Sequence, residues 1–99
     1  MLLAFSIAPA GPGDDDSYAP AVAAALQVVR GSGLPHDLGS MFTTIEGEWD
    51  EVMPVIKQCV DAMGPYGDRV SLVMKADIRA GRTGQLTAKV DRVEGLLRE

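Results

Sequence analysis

The stretch Thr43-Thr44-Ile45-Glu46-Gly47-Glu48-Trp49-Asp50-Glu51-Val52 decides how this chain of 99 residues folds. It predicts a strand that ends at Gly47 and is followed directly by a helix. The acidic first turn of that helix suits the positive end of the helix dipole. Glu46 then lies at the end of a buried strand, where a carboxylate costs free energy unless a partner pairs with it. We therefore expect the rest of the chain to supply the surroundings of Glu46.

Length and charge limit the class of protein. Residues 1–99 are enough for one domain with a core that folds on its own. The net charge of -5 speaks against nucleic acid as the main partner, because phosphate binding needs a basic face. No apolar run approaches the length of a membrane span, so no membrane contact is expected.

Cys59 and His36 are the only cysteine and the only histidine. A single cysteine excludes an internal disulfide and fits a reducing cytoplasm. Its thiol is either a small buried hydrophobe or a reactive group. A histidine-based metal site or a histidine-led triad at His36 would lack its other members, or would need a neighbouring subunit to supply them. We expect a cytoplasmic protein with no metal and no cofactor.

The order of predicted elements gives the fold class. Residues 2–8 are apolar on both faces, which is typical of a central strand. A helix follows, capped by Ser17 after the acidic loop Asp14 to Asp16. The remaining elements are strands over 34–38 and 41–46, a helix from Glu48 or Trp49, a strand over 70–79 and a last helix from Leu86. This order predicts a ferredoxin-like α+β sandwich, βαββαβ, with an antiparallel sheet, two helices on one face and an added C-terminal helix.

The two-residue alternation of the strands assigns side chains to the uncovered face of the sheet. Small residues of the first strand, including Ser6, point to that face, and we place Ser6 between Glu46 and Lys75. Met74, Ala76 and Ile78 are expected to point inward, toward the helices. The predicted open face carries Ala4, Ser6, Ala8, Phe42, Thr44, Glu46, Ser71, Val73, Lys75 and Asp77.

So much apolar sheet is rarely left in water by a monomer. We therefore expect another subunit to cover the open face and to leave a small polar-lined cavity. The alternative is that Glu46, Lys75 and Asp77 form an ion-pair network across a dimer interface and bind no ligand. Trp49, in the first turn of a helix, is either a packing residue or a platform for a ligand.

The block Thr43 to Val52 also resembles the strand-to-helix signature of the MTH1187/YkoF-like thiamine-binding proteins, formerly the uncharacterised UPF0045/DUF77 group. The resemblance extends over nearly the whole chain, through Ser6 and Pro9, the run Asp68 to Val70, and the pair Lys89 and Val90. It implies a ferredoxin-like fold, dimers or tetramers that form through the sheets, and binding of thiamine or its hydroxymethylpyrimidine moiety. The family is not known for catalysis.

The implied ligand suits the open face. The carboxylate of Glu46 can accept a hydrogen bond from the amino group of an aminopyrimidine, and hydroxyl groups can complete the pattern. The acidic loop Asp14 to Asp16 and the arginine-bearing loop around Arg79 and Arg82 could both rim the site. The candidate ligand-binding residues are Ser6, Phe42, Thr43, Thr44, Glu46, Trp49, Lys75 and Asp77.

Three functions remain open at this point. The first is a non-enzymatic small-ligand-binding protein that assembles as a homodimer or homotetramer through the open face. The second is a structural or regulatory oligomer with a vestigial cavity. The third is a small enzyme that uses Glu46 as a general base with Lys75 as its partner. The sequence offers no nucleophile, base and orienting group in one set, so no catalytic residue is assigned.

Overall fold

The computed structural model describes residues 1–9 and 18–98. The elements are β1 (Leu2–Pro9), α1 (Ala19–Gly31), β2 (His36–Leu38), β3 (Thr43–Glu46), α2 (Trp49–Ala62), β4 (Val70–Asp77) and α3 (Gln85–Leu97), with a short 3-10 helix (Gly64–Tyr66) after α2. The expected cap at Ser17 and the acidic loop Asp14 to Asp16 lie outside the described residues.

The sheet has the order β2-β3-β1-β4, and its neighbouring strands are antiparallel. The first and third strands are therefore central and β4 flanks β1, as the ferredoxin-like prediction requires. Helices α1 and α2 cover one face, and the α+β sandwich is confirmed.

The core lies between the sheet and these two helices. Along α1 the buried side chains are Ala21, Ala25 and Val29, which recur every four residues, so one narrow stripe faces inward. Cys59 of α2 is fully buried, and its Sγ lies 3.5 Å from the carbonyl oxygen of Ala25. Burial raises the pKa of the Cys59 thiol to about 11, which favours the structural interpretation of this residue. The buried hydrophobic residues are Leu3, Phe5, Ile7, Ala21, Ala25, Val29, Ile45, Val52, Val55, Ile56, Cys59 and Met63.

The loop that connects β2 and β3 is longer than predicted and spans residues 39–42. Strand β3 begins at Thr43 rather than at residue 41, because the chain turns before it and the amide of Gly39 donates to the carbonyl oxygen of Phe42 over 2.9 Å. Strand β2 starts at His36, after Pro35, whose ring nitrogen cannot donate to a ladder.

The far end of β4 differs from the prediction in burial. Met74 and Ala76 pair with the buried Phe5 and Leu3, so they lie on the helix side as expected. Yet Met74 is 43% exposed, Ala76 is also exposed, and Ile78, just beyond the strand, is 66% exposed. Strand β4 is an edge strand, and the helix layer packs over β1 rather than over β4. Only Val70 and Leu72 of this strand pack against the core.

Helix α3 stands apart from the other two helices. None of its described side chains is buried, and apolar residues such as Val90, Val93 and Leu97 are exposed. In the part of the chain that the structure describes, no helix is long and apolar enough to cross a membrane.

Candidate functional site

The strand register tests the predicted open face. Leu2 pairs with both Glu46 and Asp77, and Ala4 pairs with both Thr44 and Lys75. Directly paired residues share a face of the sheet. Because Leu3, next to Leu2, is buried under the helices, all four polar residues lie on the opposite, open face.

The predicted position of Ser6 is wrong. Ser6 pairs with Val73, so Ala4 lies between Thr44 and Lys75, and Leu2 lies between Glu46 and Asp77. Lys75 pairs two residues away from Ser6 and Glu46 pairs four residues away. Register shifts of an even number of residues keep every side chain on its face, so alternation alone did not fix this position.

Glu46 is buried, with 8% of its surface exposed, and its partner is the first turn of α3. Its Oε2 accepts from the amide of Gln85 over 2.9 Å, and its Oε1 accepts from the amide of Leu86 over 3.2 Å. The first amides of a helix have no partner within the helix and carry the positive end of its dipole. This carboxylate therefore satisfies the helix end, and the cost of burying it is offset.

Asp77 forms a second polar contact between the sheet and α3. Its Oδ2 accepts from Nζ of Lys89, one turn into the helix. This hydrogen bond and the charge of Lys89 hold the pKa of the Asp77 carboxyl below its usual range. Within the described residues of one protomer, no hydrogen bond or ion pair joins Glu46, Lys75 and Asp77 to one another, and α3 supplies partners for both acids. The alternative of an ion-pair network across a dimer interface stays a prediction.

A cavity of about 450 Å³ lies beside Glu46. Sites for small molecules are concave, mostly apolar and contain a few polar groups, and this cavity has that character. Its acidic residues outnumber the single basic one, Arg82, so its walls carry net negative charge. The lining residues are Met1, Leu34, Pro35, Glu46, Gly47, Glu48, Glu51, Arg82, Thr83, Gly84, Leu86 and Thr87.

Backbone contacts build the wall of this cavity from separate parts of the chain. The amide of Glu46 donates to the carbonyl oxygen of Pro35 over 2.9 Å, and the amide of Gly47 donates to that of Met1 over 3.1 Å. Gly47 has little space, since a Cβ there would lie 3.1 Å from Cγ2 of Val52. Glycine at this position lets β3 pass directly into α2.

Glu46 is the only predicted ligand-binding residue that lines this cavity. Asp77 lines an adjacent small crevice that shares Met1 and Arg82 with it. Thr44 and Lys75 lie one row further along the open face, paired through Ala4.

The other predicted site residues lie elsewhere. Ser6 and Thr43 line a different cavity of about 90 Å³ near the β2–β3 hairpin, and Phe42 belongs to that hairpin turn and is exposed. Trp49 is exposed on α2, in an open surface groove with Met53 and Pro54. The structure therefore distributes the predicted ligand-binding residues over several surfaces, and of these residues only Glu46 lines the larger cavity.

Several lining residues were not predicted. Met1, Leu34 and Leu86 are ordinary apolar residues far apart in the sequence, and no local pattern indicates that they meet. Arg82 had a signal, because the basic loop before α3 was one of two loops that could rim the site. Among the described residues, no group of three acidic, histidine or cysteine side chains could hold a metal ion.

Comparison with known proteins gives the relationship of the chain. The model of the family described as "Thiamine-binding protein" matches residues 3–94. The UPF0045 protein Mb1933 of Mycobacterium bovis is 45% identical over 98 residues, which cover 98% of this chain and 94% of that protein.

Two solved structures share the fold. The DUF77 domain of Bacillus cereus, a domain of unknown function, has a TM-score of 0.76 at 29% identity, covering 90% of this chain and 85% of that one. The hypothetical protein MJ1052 of Methanocaldococcus jannascii has a TM-score of 0.80 at 26% identity, covering 94% of both chains. Because the family match spans nearly the whole chain, this protein belongs to the thiamine-binding protein family, the UPF0045/DUF77 group.

Proposed function

We propose that this protein binds thiamine, or its hydroxymethylpyrimidine moiety, in the cavity beside Glu46 and does not act as an enzyme. The observation that carries the proposal is a buried carboxylate at the wall of a cavity of about 450 Å³, in a member of the thiamine-binding family. Each carboxylate oxygen has more than one acceptor position, so Glu46 can accept from a ligand while it accepts from α3.

The cavity walls suit the chemistry of this ligand. Leu34, Pro35 and Leu86 offer apolar surface for a flat aminopyrimidine ring. Glu48 and Glu51 add negative charge, which favours the positive thiazolium ring of thiamine. The general-base alternative has less support, because Lys75 does not line the cavity.

Calorimetric titration of refolded protein with thiamine, and separately with hydroxymethylpyrimidine, tests the proposal. We expect saturable heat with a Kd of about 1 μM or tighter, a strength of roughly 8 kcal/mol. Thr87→Phe fills the cavity with an aromatic ring and should weaken binding at least about tenfold. Gln58→Phe adds the same ring to the exposed face of α2 and should leave binding unchanged.

A further variant tests how much the negative charge of the cavity contributes to binding. Glu48→Gln removes one carboxylate from the cavity mouth and should weaken binding of thiamine, most clearly at low salt. Binding of uncharged hydroxymethylpyrimidine should stay the same. A folded sample that gives no heat with either compound would contradict the proposal and favour the structural-oligomer alternative.

We also propose that the protein assembles with itself through the open sheet face, as a dimer or tetramer. The apolar side chains on this face, exposed Val73 of β4 and half-buried Leu2, Ala4 and Ala8 of β1, support the proposal. Sedimentation analysis should show an oligomer that Val73→Lys dissociates and Gln58→Lys does not. A monomer at all concentrations would contradict it.

The proposed location is the cytoplasm, because the single cysteine is a buried free thiol rather than part of a disulfide. Cell fractionation tests this location, and recovery in a secreted fraction would contradict it.

A further inference from the structure

We infer that α3 is a lid on the cavity beside Glu46, and that ligand binding and lid closure stabilise each other. The inference deepens the proposed function and rests on it for the identity of the ligand. It concerns a different property, namely which part of the fold must be in place before the cavity can hold anything.

Helix α3 packs weakly against its own protomer. None of its described side chains is buried, and Leu97 near its end is 79% exposed. Hydrophobic burial, the usual source of tertiary stability for a helix, is therefore small here. An element held in this way opens at a lower free energy than the core does.

A few contacts near the start of the helix hold α3. They are polar and lie in its first two turns. Glu46 accepts the amides of Gln85 and Leu86, and Asp77 accepts from Lys89. The loop before α3 contains Gly81 and Gly84, whose φ angles of +73° and +66° are in the left-handed region that glycine adopts at low cost. Residues at the ends of such loops can absorb the backbone change of a hinge.

Helix α3 also supplies part of the cavity wall. Leu86 and Thr87 of α3 line it, together with Arg82, Thr83 and Gly84 of the preceding loop. With α3 detached, this wall is lost and the Glu46 carboxylate faces water. Docking of the helix therefore builds the cavity and positions its carboxylate.

Coupling follows from mass action. A ligand that bonds to Glu46 and contacts Leu86 binds the docked state better than the detached state. At a free ligand concentration of 100 times Kd, the ratio of docked to detached α3 should rise about 100-fold. Glu46 is on this account a positioning residue as well as a ligand contact.

NMR-detected amide exchange of Gln85 and Leu86 tests the lid without ligand. In Glu46→Gln only one acceptor oxygen remains, and the amide group of the new side chain faces the donors of the helix end. We expect exchange of these two amides to become at least about tenfold faster, while amides of α1, α2 and β1 keep their rates. The matched control Glu48→Gln removes a carboxylate of the same cavity that forms no bond to α3 in the structure, and should change neither amide.

A second variant covers the case in which Glu46→Gln does not fold. Lys89→Met removes the other polar contact and leaves Glu46 in place. It should speed exchange in α3 beyond the first turn, and Arg92→Met, one turn further along the exposed helix, should not. Equal exchange in Lys89→Met and the unchanged protein would overturn the inference.

Amide exchange and heat of binding, both measured with thiamine, distinguish the coupled lid from the proposed ligand-binding function. If thiamine binds and slows exchange of the α3 amides about 100-fold at 100 times Kd, the coupled lid is supported. If it binds with normal heat and leaves exchange in α3 unchanged, the coupling is wrong and the proposed function stands. If no heat is released but Glu46→Gln frees α3, the ligand assignment is wrong and the structural contact stands.

Discussion

Helices α2 and α3 have similar amphipathic sequences, yet the protein uses them in opposite ways. In α2 the apolar stripe is buried, with Val52 and Cys59 at 0% exposure. In α3 the apolar stripe is exposed, and the helix is held by Glu46 and Asp77 at its start. The difference shows that an apolar stripe predicts an amphipathic helix, but not whether the protomer buries that stripe.

The cavity beside Glu46 lies at the boundary of these two regions. One side belongs to the packed core, through Gly47, whose neighbour Val52 is fully buried. The other side belongs to α3, through Leu86 and Thr87. A site built in this way combines a fixed carboxylate with a wall that can move, which suits a protein that must admit and enclose a small molecule.

The largest expected contrast is in stability. Ile45→Ala deletes a fully buried side chain from β3 and should lower the free energy of unfolding by about 2–5 kcal/mol. Leu97→Ala, on exposed α3, should change it by less than about 0.5 kcal/mol. Urea unfolding measures both values. An equal loss for Leu97→Ala that does not depend on protein concentration would show that α3 is part of the core.

The chemical reactivity of Cys59 tests how tightly α2 packs against α1. Its pKa of about 11, against 9.0 for a free thiol, lowers the thiolate fraction at pH 8 by about 100-fold, and burial excludes the reagent as well. We expect a thiol reagent to label the native protein at least about 100-fold more slowly than the protein in denaturant. Rapid labelling of the native protein would contradict the packing of α1 against α2 at this point.

A smaller effect is expected at the hairpin that places β3. A Cβ on Gly39 would lie 2.6 Å from the carbonyl oxygen of Phe42, and the backbone would have to move. Gly39→Ala should lower the free energy of unfolding by about 1–3 kcal/mol, the range of local strain. The control Gly31→Ala meets no atom within 4 Å at the end of α1 and should be neutral or slightly stabilising. Equal urea midpoints for the two variants would show that the turn relaxes freely.

The alternation of the strands predicts which face of the sheet the site residues occupy, but not the register of the strands. Alternation in β4 correctly gave the face of Lys75 and Asp77, since the period of a strand is fixed by its geometry. Strand β1 is joined to β3 and to β4 by long connections and not by a tight turn, so no turn signal fixes its register, and alternation does not detect shifts of an even number of residues. The position of Ser6 was wrong for this reason.

The partner of Glu46 could not be predicted from local sequence patterns, for a different reason. Its buried carboxylate was correctly expected to need a partner, but that partner is a pair of backbone amides at Gln85 and Leu86. Every non-proline residue carries an amide, so no side-chain pattern distinguishes these two. The same holds for Met1, whose carbonyl oxygen positions Gly47.

The smallest expected effect is the acid dependence of the Asp77–Lys89 contact. The pKa of Asp77 lies below its ordinary value of 3.8 because Lys89 hydrogen-bonds to it and carries the opposite charge. Its contribution to stability is therefore fully present above about pH 3.8 and is lost as the pH falls through the lowered pKa of the folded state. Asp77→Asn should speed amide exchange in α3 at pH 6 and barely change the urea midpoint.

The pH dependence of amide exchange in α3 distinguishes the Asp77–Lys89 contact from the surface ion pair of α2. The difference between Asp77→Asn and the unchanged protein should vanish below the lowered pKa, because both carry a neutral side chain there. The control is Asp61→Asn, which breaks the exposed Lys57–Asp61 pair of α2 and should leave α3 exchange unchanged at every pH. If Asp77→Asn shifted the global midpoint as much as the exchange of α3, the lid would unfold only together with the core. The two helices would then differ in exposure but not in stability, and α3 could not open separately to admit a ligand.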